Sequence, residues 1–303
     1  MIRAMRPTLR RGAFLLAAAL LTGACAANPP AAAQAQAQAA FAPKTFSVQR
    51  SGSGRPVIFL PGLASSGAVW DSIAAELPGT EAHVLTLAGF AGVPAAGNRP
   101  LLESVAGEVA AYIRAHRLRK PVVVGHSLGG TLALMIAAAE PELVGPLVVV
   151  DGLPYFPAAM NPAATPDAMR AQAGMMRDQV ARQTREEFVA AQASYFPANV
   201  THPGHLALVK ESSARSDPAT VGQAMYELLT TDVRPQLPRI RAPVLVFGSW
   251  AMYGNREQVL ENFQAQFAAV PGARIELSAS GRHFLMYDDP AGLFRMIRES
   301  LEL

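Results

Sequence analysis

The chain has 303 residues, enough for one large α/β domain or two smaller ones, and half of them are hydrophobic, so a sizeable core can be buried. The net charge of +3 comes largely from arginines near the N-terminus, and no later basic stretch carries interleaved aromatic residues, so nucleic-acid binding is not indicated. The single cysteine excludes an intramolecular disulfide.

Residues 1–27 have the three parts of a secretory signal peptide: arginines, an apolar stretch over residues 13–21, and small residues around Cys25. The apolar stretch is too short to span a bilayer as a permanent helix. The segment that ends at Cys25 resembles a bacterial lipoprotein signal, in which the cysteine is lipidated, and ordinary cleavage after Ala26 is the alternative. We therefore expect an exported protein that is periplasmic, anchored to the membrane through a lipid on Cys25, or secreted.

Residues 28–43 are rich in alanine, glutamine and proline, so they cannot bury a core and are predicted to form a flexible linker. In residues 44–303, short apolar segments predict strands, and helical patterns separate most of them. The predicted strands are residues 45–50, 56–60, 83–87, 121–124, 147–151, 243–248 and 274–277. Continuous apolar strands that alternate with helices predict a mostly parallel sheet with helices on both faces.

The alternation stops between residues 151 and 243. Helix-start signals replace the strand pattern there, namely Thr165-Pro166, Asp217-Pro218 and a capping box from Thr184 to Glu187. We therefore predict a small helical cap over about residues 155–235. Its methionines and aromatic residues are expected mainly to fill the cap's own core, and otherwise to line an apolar substrate pocket.

The apolar strand at residues 121–124 leads directly into the sequence Gly125-His126-Ser127-Leu128-Gly129, and a helical stretch follows it. A G-x-S-x-G between a strand and a helix is the signature of a nucleophile elbow. The chain must reverse so sharply that the residues on either side of the serine have to be very small. Ser127 is therefore the candidate nucleophile.

Four segments resemble the α/β-hydrolase fold superfamily over about residues 45–303: the loop that begins Pro61-Gly62, the glycine-rich loop at residues 88–92, the elbow, and Gly281-Arg282-His283-Phe284. The resemblance implies an α/β fold with a mostly parallel sheet and a helical cap inserted between the sixth and seventh strands. It also implies that the backbone N–H groups of Leu63 and Leu128 form an oxyanion hole.

Of the six histidines, His283 alone follows the last predicted strand, at the same sheet edge as Ser127, and it is the candidate general base. The family usually supplies an acid after the strand that follows the cap, but the loop there has no carboxylate before Glu257. Asp151, at the end of the strand before the cap, is therefore the candidate acid, with Asp232 and Glu257 in reserve.

These features predict an exported serine hydrolase that cleaves an ester or a related acyl bond through an acyl-serine intermediate. No cofactor or metal is implied, and the expected partner is a small ester or acyl compound with an apolar portion. An acyltransferase, a C–C hydrolase and a cofactor-free perhydrolase are alternatives on the same fold. A non-catalytic ligand-binding relative is a further alternative, which the missing carboxylate after Gly248 favours and the presence of Ser127 and His283 opposes.

Overall fold

The computed structural model describes residues 41–97, 100–251 and 254–303. The predicted signal peptide with Cys25, and most of the predicted linker, lie outside the described residues. Within the described ranges, no helix is both long enough and apolar enough to cross a bilayer.

The described residues form one seven-stranded sheet with the order β1-β3-β2-β4-β5-β6-β7. β1 runs antiparallel to β3, and every other neighbouring pair is parallel, which confirms the predicted mostly parallel sheet. The strands are β1 (Phe46–Gly52), β2 (Arg55–Leu60), β3 (Thr80–Leu87), β4 (Val122–His126), β5 (Leu147–Val150), β6 (Val244–Gly248) and β7 (Arg274–Leu277). β4, β5 and β6 are buried along their whole length, as expected of strands covered on both faces.

Helices cover both faces of the sheet. The described α-helices are α1 (Asp71–Ala75), α2 (Leu101–Ala115), α3 (Leu128–Ala139), α4 (Pro166–Ala181), α5 (Arg185–Tyr195), α6 (Pro203–Ala214), α7 (Pro218–Thr230), α8 (Arg256–Phe267), α9 (Leu285–Asp288) and α10 (Pro290–Glu302). Successive strand residues point to opposite faces, so Val123 packs with α2, α3 and α8, whereas Val122 and Val124 pack with α1 and α10. Burying each of these side chains stabilises the fold by roughly 1.5 kcal/mol or more.

The helical cap is formed by α4–α7, which start directly after Thr165, Thr184, His202 and Asp217. The side chain of each of these residues accepts a hydrogen bond from a backbone N–H of the first turn, which satisfies a donor that the helix itself cannot pair. The cap lies between β5 and β6, not between the sixth and seventh strands as the family resemblance implied. The expected position was wrong because only four strands precede β5 in the described part of the chain.

One buried carboxylate joins the cap to the core. Glu227 on α7 accepts hydrogen bonds from the backbone N–H groups of Leu101 and Leu102, each at 2.7 Å. These two donors belong to the first turn of α2, which has no intrahelical acceptor for them, and the helix dipole favours a negative charge there. α7 is thus fixed against the core helix α2.

Candidate active site

The elbow holds Ser127 in a backbone conformation that few side chains adopt. β4 ends at His126, α3 begins at Leu128, and Ser127 between them has φ 53° and ψ −118°. A Cβ on Gly125 would lie 2.2 Å from the carbonyl oxygen of Gly129, so strand and helix can approach this closely only through glycine. The strain lifts the Ser127 side chain above the carboxyl end of the sheet, and the N-terminus of α3 lies directly behind it.

His283 and Asp151 are brought together at the same edge of the sheet. His283 Nδ1 lies 2.6 Å from Asp151 Oδ2, across 132 residues of sequence. Asp151 follows β5 directly and has φ 45°, a second strained position beside the elbow. Its side chain is only 4% exposed and that of His283 is 16% exposed, so the contact is largely shielded from water.

The carboxylate of Asp151 has a fixed orientation. Oδ1 accepts a hydrogen bond from the backbone N–H of Ser249 at 2.7 Å, and Oδ2 accepts one from the Ser249 hydroxyl at 2.8 Å. Together with His283, the N–H and the hydroxyl of Ser249 give the carboxylate three polar contacts. Oδ2 can accept a hydrogen bond from the Nδ1–H of the imidazole.

The two reserve acids lie elsewhere. Asp232 binds the backbone N–H and the guanidinium of Arg234. Glu257 is exposed in the first turn of α8. Neither is hydrogen-bonded to His283 in the described part of the chain.

Ser127, Asp151 and His283 line one cavity of about 550 Å³. This volume is within the range of small-molecule sites. The side chain of Ser127 is partly exposed and its hydroxyl makes no hydrogen bond to a described residue, so the hydroxyl is free to rotate within this cavity. The three side chains that the sequence singled out therefore face the same space.

The remaining walls of this cavity are mainly apolar, and they include Leu153, Phe156, Met160, Leu228, Val259 and Phe263. The described lining contains no lysine or arginine, and its polar members apart from the three residues above are Thr131, Gln258 and Asn262. Phe156 is 43% exposed and Met160 is 81% exposed, which places them where the cavity meets solvent. The segment between β5 and the first cap helix α4 thus borders the opening.

Two backbone donors lie on either side of the elbow. The N–H groups of Leu63 and Leu128 donate to no described residue, although Leu128 is fully buried. Leu128 is the first residue of α3, where an N–H has no intrahelical acceptor. Neither N–H is thus engaged within the described residues, and their role as an oxyanion hole stays a prediction.

His126 adjoins the nucleophile position, but it does not line the cavity. Its Nε2 lies 3.0 Å from the backbone carbonyl oxygen of His283, to which it donates as a neutral ring. Burial, and then the charge that His283 can carry, hold the pKa of His126 well below 6.5. The ring therefore remains neutral and ties the loop of His283 to the elbow.

A family model described as the alpha/beta hydrolase family matches residues 57–296. The chain belongs to the alpha/beta hydrolase family. This match confirms the resemblance that the four sequence segments carry, and it spans most of β2, all of β3–β7, the cap and the loop of His283.

Relatives and solved structures agree with this membership. The chain is 29% identical to a pimeloyl-[acyl-carrier protein] methyl ester esterase of Vibrio vulnificus (strain YJ016) over 199 residues, 65% of this chain and 76% of that protein. It is 33% identical to the protein of the same name in Aeromonas salmonicida (strain A449) over 158 residues, 49% of this chain and 58% of that protein. The crystal structure of the enol-lactonase from Burkholderia xenovorans LB400 superposes with a TM-score of 0.69 at 17% identity, covering 85% of this chain and 96% of that one. At such identity the structural match shows the shared fold.

Sequence reasoning missed Ser249, the residue that orients Asp151 in this alpha/beta hydrolase. The available signal was its place directly after β6, at the sheet edge where the family usually supplies its acid. A short polar side chain there can bind a carboxylate from the neighbouring strand instead of supplying one.

Proposed function

We propose that this alpha/beta hydrolase is a serine hydrolase that cleaves a carboxylic ester, or a related acyl bond, through an acyl intermediate on Ser127. The observation that carries the proposal is the 2.6 Å contact between His283 Nδ1 and Asp151 Oδ2 in a cavity that Ser127 also lines. A serine hydroxyl is a weak nucleophile at neutral pH, and an imidazole oriented by a carboxylate is the base that activates it.

In the first half-reaction, Asp151 accepts the Nδ1–H of His283, so Nε2 presents its lone pair to the cavity. The Ser127 Oγ attacks the carbonyl carbon while Nε2 takes the hydroxyl proton. The C=O π electrons move to the carbonyl oxygen, and the N–H groups of Leu63 and Leu128 stabilise the resulting oxyanion. Reformation of the carbonyl breaks the bond to the leaving alcohol, which receives the proton from His283.

In the second half-reaction, water replaces the alcohol. Nε2 of His283 takes a proton from the water as its oxygen attacks the acyl carbon. The second tetrahedral intermediate uses the same two N–H groups. Its collapse breaks the bond to Oγ, releases the carboxylic acid, and returns the proton to Ser127.

The substrate we propose is a small ester with a neutral, apolar portion. The largely apolar walls, and the lack of lysine and arginine in the described lining, support an uncharged group in the cavity. The relatives named methyl ester esterases support an ester as the bond that is cleaved. The contact between Asp151 and His283 supports Asp151 as the acid in place of the carboxylate that is missing after Gly248, and it weighs against a non-catalytic relative.

The test is to incubate the purified domain with a fluorophosphonate probe and with p-nitrophenyl esters from acetate to dodecanoate. We expect labelling and turnover in the wild type, and no labelling and a loss of turnover on the order of 10³-fold or more in Ser127→Ala. A folded wild-type protein that neither reacts with the probe nor hydrolyses any ester would overturn the proposed function. Faster hydrolysis of acetate than of every longer ester would overturn the proposed apolar portion only.

We also propose that the enzyme is exported, which the arginines, the apolar stretch and the small residues of residues 1–27 support. Expression of the full chain in a bacterial host, followed by fractionation and intact-mass measurement, tests this. We expect a processed form outside the cytoplasm that begins at Cys25, with a lipid, or after Ala26, without one. If the mature protein carries a lipid on Cys25, the Cys25→Ser variant should no longer be attached to the membrane. If cleavage follows Ala26, the substitution should not change where the protein is found. Unprocessed protein confined to the cytoplasm would contradict export.

A further inference from the structure

A corner of the cap is hydrogen-bonded to the loop that follows β2. Ser212, in the last turn of α6, accepts a hydrogen bond from the backbone N–H of Ser66 at 2.8 Å, across 146 residues of sequence. Ser212 is only 6% exposed, whereas Ser66 is partly exposed, so the bond is partly buried. This contact lies three residues beyond Leu63, whose N–H is a donor of the proposed oxyanion hole.

A second hydroxyl of the same corner binds both loops on this side of the sheet. Ser216, which is fully buried, accepts a hydrogen bond from the N–H of Ala91 at 2.9 Å and lies 3.4 Å from the carbonyl oxygen of Ala64. The next residue, Asp217, donates its N–H to the carbonyl oxygen of Gly89 at 2.7 Å. The cap corner between α6 and α7 is therefore fixed to the loops after β2 and β3.

The corner is itself held in place from within the cap. The guanidinium of Arg185, at the start of α5, donates to the carbonyl oxygens of Ala214 and Ser216. These carbonyls lie at and beyond the end of α6, where helical acceptors have no intrahelical donor. The corner can thus act as a rigid support for the residues that it contacts.

The loop after β2 needs such support. Ala64, directly after Leu63, has φ 54°, a left-handed conformation that costs a residue with a side chain about 1 kcal/mol or more. Such a conformation persists only where its surroundings hold it. Within the loop, Ser65 donates its N–H to the carbonyl oxygen of Gly62 at 3.2 Å, and the contacts to Ser212 and Ser216 come from the cap.

We propose that Ser212, on the cap, is a positioning residue for the oxyanion hole. Its hydrogen bond with the N–H of Ser66 fixes the loop that carries the N–H of Leu63. This inference rests on the proposed function. The Leu63 N–H stabilises charge that develops only in the transition state, so its displacement lowers kcat and leaves substrate binding nearly unchanged. The cap corner is in this view a part of the catalytic framework, and not a lid that opens.

The neighbouring residue provides a matched control. Ser213 lies on the same helical turn and is fully buried, but its hydroxyl has no hydrogen-bond partner among the described residues. Ser212→Ala and Ser213→Ala therefore remove the same group from the same turn, and only the first removes a hydrogen bond to the loop.

The experiment measures kcat and KM for a p-nitrophenyl ester, and the inhibition constant of a trifluoromethyl ketone that forms a tetrahedral adduct on serine. We expect Ser212→Ala to lower kcat by about 10-fold to 100-fold with KM within about twofold, and to raise the inhibition constant by a similar factor. Ser213→Ala should leave all three values within about twofold. If Ser212→Ala does not yield folded protein, Ser212→Cys keeps the shape with a weaker acceptor and should also lower kcat with KM retained.

The outcomes separate this inference from the proposed function. A wild-type protein without ester hydrolysis overturns the proposed function. An active wild type in which Ser212→Ala matches Ser213→Ala overturns the positioning role alone. A rise in KM with unchanged kcat and an unchanged inhibition constant also overturns it, because the hydroxyl would then serve substrate binding.

Discussion

Replacing Asp151 by asparagine should prevent His283 from acting as the base, while the residues around position 151 stay in place. The side chain at this position must still accept the Ser249 N–H, which lies 2.7 Å from Oδ1. The amide oxygen of asparagine takes that place, so its NH₂ group faces His283 Nδ1, where Asp151 Oδ2 lies at 2.6 Å. Two donors cannot face each other, and the imidazole therefore moves its proton to Nε2. Nε2 can then no longer accept the proton of Ser127.

The loss of this tautomer lowers kcat by about 10³-fold to 10⁴-fold, which corresponds to about 4 to 5.5 kcal/mol in the activation free energy. The assay is the hydrolysis of p-nitrophenyl butyrate, with kcat and KM measured separately and folding checked by thermal unfolding. The controls are the reserve acids, and Asp232→Asn and Glu257→Gln should keep kcat within about threefold. Our reasoning is refuted if Asp151→Asn keeps more than a tenth of the wild-type kcat, or if a control variant loses most of it.

Two further predictions concern the pH dependence of stability and the close approach of strand and helix at the elbow. The contribution of His83 to the free energy of unfolding should fall by about 3 kcal/mol as the pH is lowered from 6.5 to about 4, because burial lowers the pKa of His83 to about 4 and only the unfolded chain takes up this proton at higher pH. Urea unfolding at several pH values measures this. The buried His126 acts in the same direction, so His83→Gln should remove only the part that is due to His83, and an equal dependence in both proteins would contradict the prediction. Gly129→Ala should abolish ester hydrolysis, since the added Cβ would lie 2.3 Å from the carbonyl oxygen of Leu60. Gly107→Ala is the control: an added Cβ there would meet no atom within 4 Å, so this variant should keep activity and raise the unfolding temperature slightly. A fully active Gly129→Ala enzyme would contradict the close approach of strand and helix.

The features that could be predicted from the sequence are those that neighbouring residues determine. The valines before Gly125 make a buried strand, and the glycines on either side of Ser127 permit the sharp reversal. Three of the four cap helices start directly after a residue whose side chain signals the start by accepting a backbone N–H, whereas the start of α6 after His202 was not predicted. Asp151 was proposed because the loop after β6 lacks a carboxylate, and the structure places it against His283.

Hydrogen bonds between distant residues could not be predicted, except for the contact between Asp151 and His283, to which the family resemblance pointed. Ser249 contacts Asp151 across 98 residues, and Glu227 contacts Leu101 across 126. Ser212 and Ser213 are identical in type and adjacent in sequence, yet among the described residues only Ser212 has a side-chain partner, because the orientation of α6 against the loop after β2 decides which hydroxyl meets a donor. Which of these distant groups meet depends on how the helices and strands pack, and no local sequence pattern encodes that packing.

The central claim is that a covalent acyl group forms on Ser127. Rapid quenching of the enzyme during turnover of a p-nitrophenyl ester, followed by tandem mass spectrometry, tests this most directly. We predict that the peptide that contains Ser127 gains the mass of the acyl group less one hydrogen, and that this acylated peptide accumulates in a variant with slowed deacylation. Hydrolysis that proceeds at the wild-type rate in Ser127→Ala, or an acyl group found only on another residue, would contradict the account.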